Sequence, residues 1–548
     1  MELNSANFPS YLGEVLHDLS CSCFVSIDLE FSGIPLAPSS QSAGEQSLEE
    51  RYADNKAAAE KYQVLQFGLT ICREDVKDAT YTLKPYNIDL CPFVDRALDL
   101  NRDWVSMSWA VEFLINNNFS LDNACKNGVR YLSRQEEAQA LDLAEQRYSL
   151  KGSKSAIEVK ETDKESLEFL NSVRGQINNW LSHPKKTGKE YLNIPSLPGF
   201  KSQGSVRTLT SMERRLVHQL VTAEYRDLKS KSKSNFVQIE VADQERENKN
   251  QIKKLNMIKQ IIRKHVGCRW IIEALMGGDL TEIDEQSFKY LMGNPDDTPY
   301  TMAELVSRVK CRLKKNRPIL IGHNCFLDLI FLYRSFIGPL PDTLGEFQTL
   351  IHNAFPIVID TKYLATHDAG SINPKSSLQD INCALAEVTV PTIRIEPTHS
   401  KYFFRKTCHE AGYDSMMAAF AFIKLSSQLQ RGKVKFSSTA KADDINFMMG
   451  KETPLVKQVA EQMQKEKTAA KDDSDDLIEL SDSSSGQSSQ GPTGPPPLAE
   501  TECPDVTSKV SQGQLIPRLG SEFWQIYGNK LRVFGTVERA VWLAGAMP

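Results

Sequence analysis

Five side chains in this 548-residue sequence are of types that bind hard cations or move protons, and each interrupts an apolar run. Asp28 and Glu30 lie in FVSIDLEFSG (24–33), Asp328 in CFLDLIFLY, and His409 and Asp414 in HEAGYDSMM. The first run reads as a strand, so Asp28 and Glu30, two residues apart, share a face. Ionised side by side they repel, and an unpaired buried carboxylate is strongly disfavoured. Either that face is wet, with Ser26, Asp28 and Glu30 alternating outward, or a cation sits between the acids. The Ser-Gly-Ile-Pro that follows ends the strand at once. The acids therefore stand at its C-terminal edge, where α/β sheets build their sites. Asp328 falls in the first turn of an apolar helix, where it also reads as a partner of the helix dipole. His409 and Asp414 would be about 140° apart on a helix. His409 thus stands at or before the helix start, and Ala411-Gly412 permits an irregular start. Alone, each residue has an ordinary structural reading. Together, four carboxylates and one histidine are what two-metal phosphodiester hydrolysis uses. Mg²⁺ and Mn²⁺ take oxygen ligands, and a neutral imidazole suits the deprotonation of a water.

The elements that must position these residues fall into blocks. Residues 1–150 open with the acidic strand and continue with the strand-like YQVLQFGLTICRE and ATYTLKPYNI. Residues 151–255 differ: 163–182 form an amphipathic helix with Leu167, Leu170, Val173, Ile177 and Leu181 at helical spacing. Positions 201–233 hold eight Lys/Arg against three acids, so this stretch reads as a basic insertion. Residues 256–440 resume the α/β pattern with RPILIGHN and FPIVIDTKYLA. Residues 465–515 are acidic, Ser-rich and Pro/Gly-rich and read as a disordered linker. The strand-like KLRVFGTV in 516–548 is too short to fold alone. The formal charge of −5 confines nucleic-acid affinity to a local patch. Eleven scattered cysteines without a Cys-x-x-Cys pair indicate free thiols in a reducing compartment. No apolar run nears the roughly 20 residues a membrane helix needs, and no membrane association is expected.

The order Asp-x-Glu, Asp, His-x-x-x-x-Asp resembles the histidine-bearing branch of the DEDD superfamily of 3′-to-5′ exonucleases. FVSIDLEFSGI, QFGLTIC, FLINNNFSLDNACKNGVRYLS, IGHNCFLDLIFLY, FPIVIDTKYLA and HEAGYDSMMAAFAF, in that order, resemble the blocks of the poly(A)-specific ribonuclease family. They cover nearly all of 20–135 and 300–430. ERRLVHQL resembles the Arg-x-x-x-His signature, here Arg214 and His218, of the single-stranded nucleic-acid-binding domain that this family carries at this point.

The resemblance implies a ribonuclease H-like mixed β-sheet flanked by helices, interrupted by a small α/β nucleic-acid-binding insertion. It implies Asp28, Glu30, Asp328 and Asp414 as ligands of two Mg²⁺ ions, with Mn²⁺ able to substitute, and His409 as general base. The expected activity is 3′-to-5′ exoribonuclease action on single-stranded RNA, as a poly(A) deadenylase releasing 5′-AMP. Trimming of small or structured noncoding RNA is the alternative; a catalytically inactive RNA-binding adaptor would have lost a ligand, and none is lost. RNA contacts are expected from Arg214, Arg215, His218, Lys229, Lys231 and Lys233, with Lys201 and Arg207 beside them. Homodimers and a cytoplasmic and nuclear location follow from the family. Members usually carry an RNA-recognition motif after the nuclease, of which 516–548 would be a truncated remnant, so cap binding is not expected. DDLIELSDSSS places Leu477, Ile478 and Leu480 between acids and serines, which resembles a SUMO-interacting strand; a solvated acidic tail is the alternative.

Overall fold

A computed structural model of the chain describes residues 1–35, 46–148, 163–182, 191–194, 209–225, 227–291, 301–367, 376–403, 407–430 and 504–543. Lys201, Arg207 and the 477–480 segment lie outside the described residues. Two compact units form, one from 1–95, 100–137 and 263–548, the other from 96–99 and 138–262. The second unit takes in the described residues of 151–255.

In the first unit the strands are β1 (Glu2–Leu3), β2 (Phe24–Phe31), β3 (Val64–Asp75), β4 (Thr80–Cys91) and β5 (Val129–Arg130). The second unit supplies β6 (Tyr191–Ile194), β7 (Leu228–Ser232) and β8 (Val237–Val241). The first unit resumes with β9 (Ile319–Gly322), β10 (Val358–Asp360), β11 (Thr392–Ile395), β12 (Lys530–Arg532) and β13 (Ala540–Trp542). Its strands join one mixed sheet in the order β1-β4-β3-β2-β9-β10-β12-β13, with β5 and β11 also paired to β4. β2, β3 and β4 are antiparallel, whereas β9, β10 and β12 follow parallel to β2.

β3 is buried at nine consecutive positions, as a strand covered on both faces must be. On one face, Val25, Ile27, Leu29 and Phe31 join a core with the helices Phe8–Ser20, Arg269–Met276 and Phe326–Leu332. The opposite face of β2 is covered by the helix Ala411–Gln430. There Phe24 packs edge-on against Phe422, centroids 5.0 Å apart, and the Ser26 hydroxyl donates to the Ser415 carbonyl at 2.6 Å. That face is therefore packed at Phe24 and Ser26, whereas Asp28 and Glu30, further along it, are half-buried.

The described part of 516–548 is not a separate recognition module. It supplies β12 and β13 to the main sheet, and Trp524 of the helix Glu522–Tyr527 packs near Phe422. Within 465–515, read as linker, residues 504–511 are helical and Leu515 is fully buried. Val506, Val510, Leu515 and Ile516 find an apolar partner surface in the core beneath Ala411–Gln430, which composition alone does not reveal.

The second unit packs the helices Lys164–Ser182 and Ser211–Glu224 on an antiparallel sheet of order β6-β8-β7. Phe169, Val173, Ile177, Leu216, Leu220 and Ile239 are in its core. Thr210 and Glu213 cap the second helix reciprocally. Among the described residues ten cysteines are free, and no helix is long and apolar enough to cross a membrane.

Candidate active site

Along β2, Asp28 pairs with Gly68 of β3 and Glu30 with Gln66, and the register slips directly after Glu30. A β-carbon on Gly68 would lie 1.9 Å from the Ala411 carbonyl oxygen, and one on Gly412 would lie 2.7 Å from the Asn87 β-carbon. With neither present, the first turn of Ala411–Gln430 rests directly on the sheet beside the two acids. The sheet also caps that turn. The Ala411 N–H donates to Gln66 Oε1 at 2.8 Å, and the Gly412 N–H to Asn87 Oδ1 at 3.0 Å. Gln66 is held by donating to Asp89 at 2.8 Å, and Asn123 donates to the other Asp89 oxygen at 2.7 Å. Sequence reasoning missed Gln66, Asn87 and Asp89. The available signal was Gly68, a glycine inside an apolar strand, which marks a close backbone approach.

Asp414 sits in the first turn of the helix, and its Oδ2 accepts the His409 backbone N–H at 3.0 Å. His409 precedes the helix, as the spacing requires, with a φ of +65°. Its ring stands edge-on to the exposed Phe113, centroids 4.7 Å apart. Glu30, His409 and Asp414 offer ligand atoms that all lie within 4.8 Å of one another. Asp328 arrives on the helix Phe326–Leu332, which follows β9. Its Oδ1 accepts the N–H of Leu29, the residue between the two β2 acids, at 3.1 Å. Elements from distant parts of the chain thus bring all five residues together.

Among the described residues, the charges that act on Asp28 and Glu30 are carboxylates. Burial, then the charges of Asp414, Asp328 and Glu30, push Asp28 well above the ordinary carboxylate range. Burial, then Asp414 and Asp328, do the same to Glu30. Burial raises Asp328 and Asp414 to about 7 each, against the opposing pull of the backbone hydrogen bonds they accept. Carboxylates so placed ionise together only when a cation joins them. An oxygen-rich donor set fits Mg²⁺ or Mn²⁺. Burial lowers the pKa of His409, so its imidazole is neutral at neutral pH and able to accept a proton.

In the second unit, Arg214 and His218 point at the β7–β8 hairpin. Arg214 Nε donates to the Leu209 carbonyl at 3.1 Å and Nη2 to the Ser234 carbonyl at 2.5 Å. The two ring nitrogens of His218 each lie 2.7 Å from a hydroxyl, Ser230 on one side and Ser232 on the other. The signature pair therefore pins the hairpin that carries Lys229, Lys231 and Lys233. Lys231 is paired with Glu240 at 2.7 Å.

The family model described as CAF1 family ribonuclease matches residues 3–422, a span that takes in all four acids and His409. The chain belongs to the CAF1 ribonuclease family. It is 24% identical over 447 residues to the Xenopus laevis poly(A)-specific ribonuclease, covering 78% of this chain and 63% of that protein. It is 26% identical over 441 residues to an uncharacterized Schizosaccharomyces pombe protein, covering 77% and 92%. The solved structure of S. pombe Pop2p with Mg²⁺ and Mn²⁺ bound aligns with 80% of this chain and 95% of its own, at 12% identity and a TM-score of 0.35. Against the Xenopus and Arabidopsis thaliana ribonucleases, this CAF1-family chain spans 63% of their length.

Proposed function

We propose that the chain is a divalent-metal-dependent 3′-to-5′ exoribonuclease that acts on single-stranded RNA and removes poly(A) tails as 5′-AMP. The observation that carries the proposal is the convergence of Glu30, His409 and Asp414 on one point beside Asp28 and Asp328. Asp28, Glu30, Asp328 and Asp414 would hold the metal. Bound Mg²⁺ or Mn²⁺ would supply the positive charge that steadies the attacking and leaving oxygens. His409 takes the proton of the attacking water on a ring nitrogen, the water oxygen bonds to the terminal phosphorus as the P–O3′ bond breaks, and the departing 3′ oxygen takes a proton from solvent. The products are a 5′-mononucleotide and an RNA shortened by one residue.

The test is incubation of the purified protein with 5′-labelled RNAs ending in oligo(A), oligo(U) or oligo(C), with Mg²⁺ or EDTA. A single-nucleotide ladder that runs fastest on oligo(A) and vanishes in EDTA is expected. Robust cleavage in EDTA overturns the metal mechanism. Equal rates on the three tails would replace deadenylation with general trimming of RNA 3′ ends.

A further inference from the structure

The buried carboxylate of Asp360 serves two parts of the chain at once. It ends β10, is 1% exposed, and caps the helix Thr361–Thr366. Its Oδ1 accepts the N–H of Asn324 at 2.7 Å and that of Lys362 at 2.9 Å. Its Oδ2 accepts the N–H of Arg532, on β12, at 2.8 Å. Asn324 stands at φ +55° in the turn between β9 and the helix Phe326–Leu332, which bears Asp328. One oxygen therefore holds the turn that launches Asp328, and the other is satisfied by a strand that returns from far along the sequence.

The returning segment is anchored independently of Asp360. Asn529 accepts the Val358 N–H on its side-chain oxygen at 2.9 Å and donates its own N–H to the Val358 carbonyl at 2.8 Å. Leu531 is fully buried in the same core as Leu29. At the hairpin between β12 and β13, the Gln46 N–H donates to the Gly535 carbonyl and the Val537 N–H to the Gln46 carbonyl, at 3.2 and 3.0 Å. Without β12, the buried Asp360 carboxylate loses the Arg532 donor on Oδ2 and keeps those of Asn324, Lys362 and Tyr363, and a carboxylate answers such a loss by shifting, taking up a proton or admitting water.

We propose that residues 504–543 are a positioning element of the nuclease: β12 fixes the Asp360 carboxylate, and Asp360 fixes the turn that places Asp328. Asp360 is a positioning residue that acts through Asn324. The effect on turnover rests on the reading of Asp328 as a metal ligand; the effect on backbone protection does not.

Asp360→Asn in the full chain tests the link, because the amide presents an N–H₂ where an oxygen is needed. Asn529→Ala loosens β12 and leaves Asp360 itself intact, so it tests the same link should the first variant fold poorly. Hydrogen exchange is read at the Asn324 and Arg532 amides, and kcat and KM are read on an oligo(A) RNA in Mg²⁺. In both variants the two amides should lose protection together, by about tenfold or more. Turnover in Asp360→Asn should fall by up to about 10²-fold, as for a displaced reacting group, with KM for RNA unchanged. Rapid exchange at Arg532 with full protection at Asn324 would overturn the proposal, as would unchanged kcat in Asp360→Asn. A wild-type chain that hydrolyses no RNA would overturn the exoribonuclease reading and leave the coupled exchange standing.

Discussion

His409 separates from the carboxylates in what its loss should do. It has its ring beside Phe113, and its backbone N–H is bonded to Asp414. His409→Ala removes the proton acceptor and keeps that backbone bond. The expected cost is on the order of 10²–10⁴ in kcat, with the Mg²⁺ concentration at half-activity little changed. Should high Mg²⁺ restore full activity to the variant, the histidine was supporting a metal and not a proton transfer. The acids make a second prediction, for the metal-free protein. Raised folded-state values mean that the folded form binds protons more tightly than the unfolded one. The stability of these groups is thus fully present below the ordinary value near 3.8 and is lost as pH rises through about 7. In EDTA the Tm should fall between pH 5 and pH 8, and Mg²⁺ should recover more of it at the higher pH. A Tm in EDTA that rises over that window would show that the four acids do not crowd one another.

At the scale of elements, the contact between β3 and the first turn of Ala411–Gln430 decides whether Asp414 reaches Glu30. Gly68→Ala places a β-carbon against the backbone of Ala411, where no side chain can yield. About 1–3 kcal/mol of stability should be lost, seen as a lower urea midpoint, together with most of the turnover. A variant with wild-type stability and activity would show that this approach is looser than the structure has it. The contrast with β2 shows what sequence reveals. Acids within an apolar strand are a local contradiction, visible in ten residues, whereas the spacing of His409 and Asp414 only placed the histidine before the helix, and their roles came from the family resemblance. The contacts of Gln66, Asn87 and Asp360 were not legible, because their partners are backbone amides brought close only by folding. β12 and β13, three residues each, carry too little periodicity to announce a sheet. The acidic segment before them hid their membership of the main core.

At the scale of the whole molecule, the division into two units predicts separable effects on grip and chemistry. Arg214 and His218 brace the β7–β8 hairpin, and we propose that its lysines meet phosphate. Replacing Lys229 and Lys233 with Gln should weaken RNA binding and shallow the salt dependence by about one unit of log–log slope per lost contact. Cleavage of a short oligomer at saturation should change little. An unaltered salt slope would assign the second unit a role other than holding RNA.

The sheet order has a consequence for how the protein is made. β12 pairs with β10 across 171 residues, Ile359 against Lys530. On a ribosome moving at about 5–20 residues per second, the edge of β10 waits roughly ten to thirty seconds for its neighbour. Throughout that interval the nascent chain presents an unpaired strand edge, the feature most prone to pairing with the wrong chain. It also leaves the second oxygen of Asp360 without its donor. Synthesis order would thus keep the sheet incomplete until residues 530–532 have emerged.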